Sequence, residues 1–253
     1  MTRYPVAGHD ILLEDHPEVY PPADDTLLLA GAVGRARGRV LELGTGSGLI
    51  AILCALQGAR VVATDLNPHA VRLTRTNAAL NGVAIEAVQA DLFEGVRGRF
   101  DLVVFNPPYL PTAPKDATGD RWLDASVDGG PDGLGPVRRF LAGLLLHLAS
   151  GGRALTVVSS LSPGRPEPPP GTVLRPVAEM RLEFEVLTVL EARRARRAPS
   201  GPRRGHRRGA GSPGATGLPA RKGRRERRSP GHPWDAPLRR RRRVRMTART
   251  HGR

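Results

Sequence analysis

A single cysteine, Cys54, stands among 253 residues. That scarcity excludes an internal disulfide and a cysteine-built zinc site within the chain. Cys54 lies in an apolar stretch of helical density, which marks it as a packed core thiol and not a nucleophile. Long apolar runs are missing too. A bilayer span needs ~18–20 such residues, and the longest candidate, near Leu141–Leu148, falls well short. The opening residues, Met1 to Asp15, mix charge, proline and apolar side chains without a leader-like apolar core. A soluble, cytoplasmic protein with no membrane partner is expected.

Positive charge is scarce where the bulk value of +15 suggests plenty. Residues 193–253 hold 22 basic and 2 acidic side chains, whereas the rest holds 17 basic and 22 acidic, a net of −5. The composition therefore divides the chain into a mildly acidic body, residues 1–192, and an Arg/Gly/Pro-rich basic tail, residues 193–253, with the run Arg239–Arg243. Ordering such a tail costs about 1–2 kcal/mol per residue in backbone entropy, and it has little apolar surface to offset that. It is expected to be disordered. Its charge suits non-specific attraction to nucleic acid. Its Arg, Gly, Pro and Ala are better suited to an unselected extension, such as a shifted frame of a G+C-rich gene, and no specific function is assigned to it.

The body alternates strand and helix patterns. Strands are expected at Arg39–Leu43, Val61–Asp65, Ala84–Gln89, Phe100–Phe105, Ala154–Ser159, Val173–Val177 and Glu185–Leu190. Helices are expected at Leu49–Leu56, from Pro68 to about Leu80 with Asn81-Gly82 as its C-cap, and at Val137–Leu148. Strands separated by helices imply an α/β fold, with a seven-stranded, mostly parallel sheet and helices on both faces.

Three acids fall near three successive strand ends. Glu42 precedes the glycine loop Gly44-Thr45-Gly46-Ser47-Gly48, which opens a helix. Glycines there let a ligand approach the backbone. A dinucleotide and S-adenosylmethionine (AdoMet) both use such loops. Glu42 favours AdoMet, because a carboxylate repels a pyrophosphate and attracts a cationic amino group. Asp65 can accept both ribose hydroxyls, a role common to either ligand. Asp91 can accept from an adenine amino group, with Leu92 covering the ring.

The fourth strand ends in Asn106-Pro107-Pro108-Tyr109. Two prolines stop the ladder and bias Asn106 away from helix, at the sheet edge where α/β folds bind ligands. The Asn106 side-chain oxygen, the Pro107 carbonyl and the Tyr109 ring suit a planar –NH2 group.

Together these motifs resemble a Rossmann-like class I AdoMet-dependent methyltransferase acting on an amide or amine nitrogen. Val19-Tyr20-Pro21-Pro22-Ala23-Asp24-Asp25-Thr26-Leu27-Leu28-Leu29, Val104–Thr112 and Asp128-Gly129-Gly130-Pro131-Asp132-Gly133-Leu134 resemble the short HemK-like family, the release-factor glutamine methyltransferases of archaeal and eukaryotic type. The likeness spans about residues 10–192. It implies methylation of glutamine N5 in the Gly-Gly-Gln loop of a release factor, with a small zinc-binding activator subunit as partner. It implies catalysis through Asn106, Pro107 and Tyr109, with Pro108 also at the substrate, and cofactor contacts from Thr26, Glu42, Gly44, Gly46, Gly48, Asp65, Asp91, Leu92 and Asn106. No metal is expected on the chain itself. The bacterial relatives' helical N-terminal domain has no room before residue 19. Prolines in Ser162–Gly171 forbid the helix that the family places between its late strands, so one sheet face is expected to be thinly covered. Two other readings share these motifs: an adenine-N6 or other exocyclic-amine methyltransferase acting on DNA or RNA, and a non-catalytic binding protein on the same scaffold. An acidic body speaks against the first, and the intact set Thr26, Glu42, Asp65, Asp91 and Asn106 against the second.

Overall fold

A computed structural model describes residues 1–113 and 119–195. The sheet core starts with β3 (Arg39–Leu43), whose last four residues are buried, followed by the wholly apolar α2 (Leu49–Leu56). Next come β4 (Arg60–Asp65), α3 (Pro68–Leu80), β5 (Glu86–Gln89) and β6 (Phe100–Phe105). After the site loops, α4 (Arg121–Val127) and α5 (Gly135–His147) lead into β7 (Leu148–Ser159), β8 (Thr172–Arg181) and β9 (Val186–Arg194). The strand order is β5-β4-β3-β6-β7-β9-β8, with β9 antiparallel to both neighbours and the other six strands parallel. The order reverses between β3 and β6, so the crevice beyond their carboxyl ends is the topological switch point. Among the described residues no helix is long and apolar enough to cross a membrane.

Helices cover both faces. On one, α1 (Asp24–Val33) and α2 pack Leu29, Ala30, Val33 and Leu49–Cys54 against Val40, Val61, Leu102, Val104, Leu155 and Val157. Cys54 is buried in that core. On the other, Phe140 of α5 lies 5.4 Å from the Phe105 ring. The proline-rich segment forms no helix, as its composition requires. Even so, the α5 face is not thinly covered. Leu174, Leu190 and Ala192, which alternate with residues of the opposite face, are buried. The segment runs beside Leu134 at the start of α5, with Pro166 buried. The irregular segment lies against α5 at Leu134 and Leu145. Strand β9 continues through Arg193 and Arg194, two residues into the basic region. The rest of that region, with its expected disorder, lies outside the described residues.

Composition gave no warning of the first two strands. β1 (Thr2–Val6) and β2 (His9–Leu13) form an antiparallel hairpin. Its two-residue turn has Ala7 at φ 49° and Gly8 at φ 83°, the left-handed pair that matches hairpin twist. The end of β2 and the residues after it dock on α3 as if on a strand. Asn81 accepts from Leu12 N (2.9 Å) and donates to Leu12 O (2.7 Å). One turn earlier, Asn77 accepts from Glu14 N (2.8 Å) and donates to Glu14 O (3.2 Å) and to Ser47 O (2.9 Å). Asparagines at i and i+4 share one helix face, and each carboxamide mimics a peptide group. Asn77 is 0% exposed and ties the N-terminal segment to the glycine loop. Asn77→Ala strands buried backbone groups, and is expected to lower unfolding free energy by about 2–3 kcal/mol in urea titration.

Candidate functional site

A cavity of about 370 Å³ opens at the switch point. That is a size suited to a small ligand or cofactor. It is lined by Glu18–Tyr20 and Asp25-Thr26 from the N-terminal side, by the glycine loop, and by Asp65, Asp91-Leu92 and Phe105–Leu110. Trp122 and Ser126 of α4 and Arg139 of α5 complete its wall. The structure thus brings every residue singled out in the sequence, save Gly48, to one cavity. Gly48 acts one step back, as the N-cap of α2 at φ 88°. A side chain there would press on Thr74 at 3.1 Å. Gly44 and Gly46 also take left-handed φ, 60° and 55°.

Each acid already has partners. Glu42 is 4% exposed, and its Oε2 accepts from Thr45 Oγ1 (2.7 Å) and Ala51 N (2.9 Å). Burial pushes its carboxyl up from 4.5 to about 8, against the lowering effect of those two bonds. Asp65 accepts from Gly46 N through Oδ2 and from Asn67 N through Oδ1, both at 2.8 Å. Burial raises its carboxyl too, opposed by these backbone donors. With the Leu66 amide as a third backbone donor, the carboxylate's roughly four lone-pair sites leave room for one more. Asp91 holds the Arg139 guanidinium at 2.8 Å on the cavity rim. Leu92 sits at φ 51°, a strained conformation for a branched side chain.

The Asn106 loop carries the most specific geometry. Asn106 Nδ2 donates to Asp25 Oδ2 (3.1 Å), the acceptor that also takes the Tyr109 hydroxyl (3.2 Å). Asp25 Oδ1 accepts from Thr26 N (2.6 Å) and Thr26 Oγ1 (3.1 Å). A carboxylate only accepts, so the amide nitrogen of Asn106 must face it. The oxygen is then turned the other way: Asn106 Oδ1 is buried and has no hydrogen-bond partner. Burial, followed by the negative charges of Asp25 and Glu185, raises the Tyr109 phenol far above its usual range. Tyr109 is therefore a neutral donor and no base. Behind the loop, Gly129 N donates to Leu110 O (3.0 Å), and a side chain at Gly133 would collide with Tyr109 O at 2.3 Å. The glycines of residues 128–133 let that backbone lie against the Asn106 loop.

Sequence reasoning named Thr26 and passed over its neighbour Asp25, which is 5% exposed. The only signal was the Asp24-Asp25 pair, which reads as ordinary acid in the first turn of a helix. Helix α4 was also missed, since no helix was expected between the fourth strand and Val137.

The methyltransferase small domain matches residues 23–125. A relative from Methanocaldococcus jannaschii, provisionally named a protein N5-glutamine methyltransferase, is 43% identical over 191 residues, covering 73% of this chain and 96% of its own. The chain belongs to the protein N5-glutamine methyltransferase family. The release factor glutamine methyltransferase of Deinococcus radiodurans is 43% identical over 123 residues, 46% of this chain and 44% of that longer protein. Among solved structures, a Thermus thermophilus 16S rRNA N2 G1207 methyltransferase in complex with AdoMet and guanosine shares the fold, at TM-score 0.54 and 21% identity over 77% of this chain and 50% of its own.

The chain is an AdoMet-dependent methyltransferase. Its cavity fits that cofactor: the glycine loop at Gly44 and Gly46 lines it with left-handed backbone, beside Glu42, and the Asp65 and Asp91 carboxylates retain acceptor capacity. The buried Glu42 yields a test of site electrostatics. Unfolded, it releases its proton near 4.5; folded, near 8. Its contribution to stability is thus complete below pH 4.5 and is lost as pH climbs to about 8. Glu42→Gln is expected to gain in urea midpoint relative to the wild type between pH 5 and pH 8; an unchanged difference across that window contradicts the assignment.

Proposed function

We propose that this enzyme transfers a methyl group to the side-chain amide nitrogen, N5, of glutamine in the Gly-Gly-Gln loop of a peptide-chain release factor, in the cytoplasm. One observation carries the reading: Asn106 lines the cavity, and its Oδ1 is buried without a hydrogen-bond partner. An oriented acceptor in that setting calls for a ligand N–H. The names of the relatives point to the same substrate.

In this reading the residues at the sheet edge would hold the cofactor: Glu42 its amino end, Asp65 the ribose hydroxyls, Asp91 the adenine amino group and Leu92 the ring face, with Gly44, Gly46 and Gly48 giving the loop its shape and Thr26 contributing from the N-terminal side. AdoMet supplies a methyl group already activated on a sulfonium, so no covalent enzyme intermediate is required. Asn106 Oδ1 and the Pro107 carbonyl accept the two protons of the substrate carboxamide. That grip pulls the delocalised lone pair out of conjugation and aims it along the cavity. Holding reactants in such geometry supplies roughly 7–11 kcal/mol. The same acceptors stabilise positive charge growing on nitrogen, as oxyanion-hole donors stabilise negative charge. Pro108 and Tyr109 flank the flat group. Tyr109 stays protonated, and the amide proton leaves to water after transfer.

Nucleic acid fits this mouth less well. Asp25 and Glu185 place negative charge around both Tyr20 and Tyr109, and Asp24 adds to it at Tyr20. Two further partners belong to the reading as expectations of the sequence. They are a small zinc-binding activator subunit, implied by the likeness to the short forms, and a polyanion for the basic segment 193–253. The catalytic domain is residues 1–192, so deletion of residues 196–253 is expected to leave turnover unchanged.

Labelled AdoMet should mark a release factor and leave DNA unmarked; the opposite pattern overturns the proposal. Asn106→Ala is expected to lower kcat by about 10²–10³-fold with AdoMet affinity held within a few-fold. Asp25→Asn should give a similar kcat loss, because an amide at residue 25 permits Asn106 to turn over. A pair of variants that bind cofactor and keep full turnover removes Asn106 from the reaction.

A further inference from the structure

We propose that His16, Glu18 and His69 form a binding site for a zinc-class divalent cation, which fastens residues 14–22 to the first turn of α3. The three side chains come from two separate segments, and their candidate ligand atoms all lie within 4.8 Å of one another. Glu18 Oε2 is 2.9 Å from His69 Nε2. The His16 and His69 rings are 4.7 Å apart and tilted by 37°. A tetrahedral zinc with bonds of about 2.0–2.2 Å sets its ligand atoms roughly 3.3 Å apart. Small side-chain shifts meet that spacing.

The backbones beneath these side chains are already fixed, and by one residue. Asn67 Oδ1 accepts from His69 N (2.8 Å), while Asn67 Nδ2 donates to Glu18 O (2.6 Å). Val19 N donates to His16 O (3.0 Å), closing the turn that carries His16 and Glu18. Preorganisation of this kind lowers the ordering cost of binding. Two imidazoles and one carboxylate select zinc, cobalt, nickel or copper over magnesium and calcium, and leave a fourth position for water. Without metal the cluster is held by protons. Arg72 Nη2 lies 3.1 Å from His69 Nδ1 and donates to it, which leaves the ring proton on Nε2, facing Glu18. The cation takes the place of that proton. Arg72 is exposed and free to swing outward as its charge is opposed.

The site holds structure and does no chemistry. Glu18, Val19 and Tyr20 line the cofactor cavity, so a clip at Glu18 and His69 fixes part of its wall.

Cobalt titration of the full-length, untagged chain tests it. One equivalent is expected to bind with a visible d–d absorption band, and zinc is expected to displace it. His16→Ala and His69→Ala should each weaken cobalt binding by at least ~10-fold. Glu18→Gln, which keeps a hydrogen bond to His69, should weaken it likewise and serves if an alanine variant does not fold. Zinc should slow amide exchange in residues 14–22 of the wild type and leave the variants unchanged. Absence of stoichiometric binding overturns the proposal. So does binding that survives the His16→Ala/His69→Ala double variant, or bound zinc with no change in exchange.

Discussion

A carboxylate cannot donate a hydrogen bond, and the site depends on that fact. The two ends of an asparagine carboxamide are nearly identical in shape and opposite in chemistry. Turned one way, Asn106 presents its oxygen away from the Asp25 carboxylate; turned the other, it sets two acceptors against each other. Asp25, 81 residues earlier in the chain, removes the choice by taking Nδ2 and the Tyr109 hydroxyl on the same oxygen. The cluster is partly buried, and a mispaired polar group costs more there than in water. That leaves Asn106 Oδ1 buried and without a hydrogen-bond partner.

The scaffold makes that alignment durable. Parallel strands β3 and β6 deliver Glu42 and Asn106 to the same edge, in register Glu42↔Val104 and Leu43↔Phe105. Two prolines end β6, and the glycines at 129 and 133 let a second loop brace the first from behind. The N-terminal segment then brings Asp25 and Thr26 across from the opposite side. Four stretches far apart in sequence meet at one wall, each fixed by backbone contacts of its own.

Local chemistry was legible in the sequence; long-range geometry was not. The seven sheet strands, α2, α3 and α5 follow from periodicity, caps and glycine or proline punctuation, with boundaries displaced by a few residues. The glycine loop and Asn106 declare themselves because their neighbours in sequence give them a setting. Asp25 does not, since an acid in a first helical turn has a sufficient local explanation. The β1–β2 hairpin was hidden by shortness and a mixed composition, and α4 by its position between loop signals. The bare-face expectation at 162–171 failed for a related reason. Proline forbids a helix but does not forbid close packing. His16, Glu18 and His69 fall 51 residues apart or more across the two segments, and no spacing rule joins them.

The asparagine clamps on α3 carry a consequence for the order of assembly. Leu12 and Glu14 satisfy their peptide groups through Asn81 and Asn77, and Glu18 through Asn67. On a ribosome those early residues emerge well before the helix that receives them. The wall of the cofactor cavity is therefore translated first and completed late, when residue 81 and its turn have left the exit tunnel.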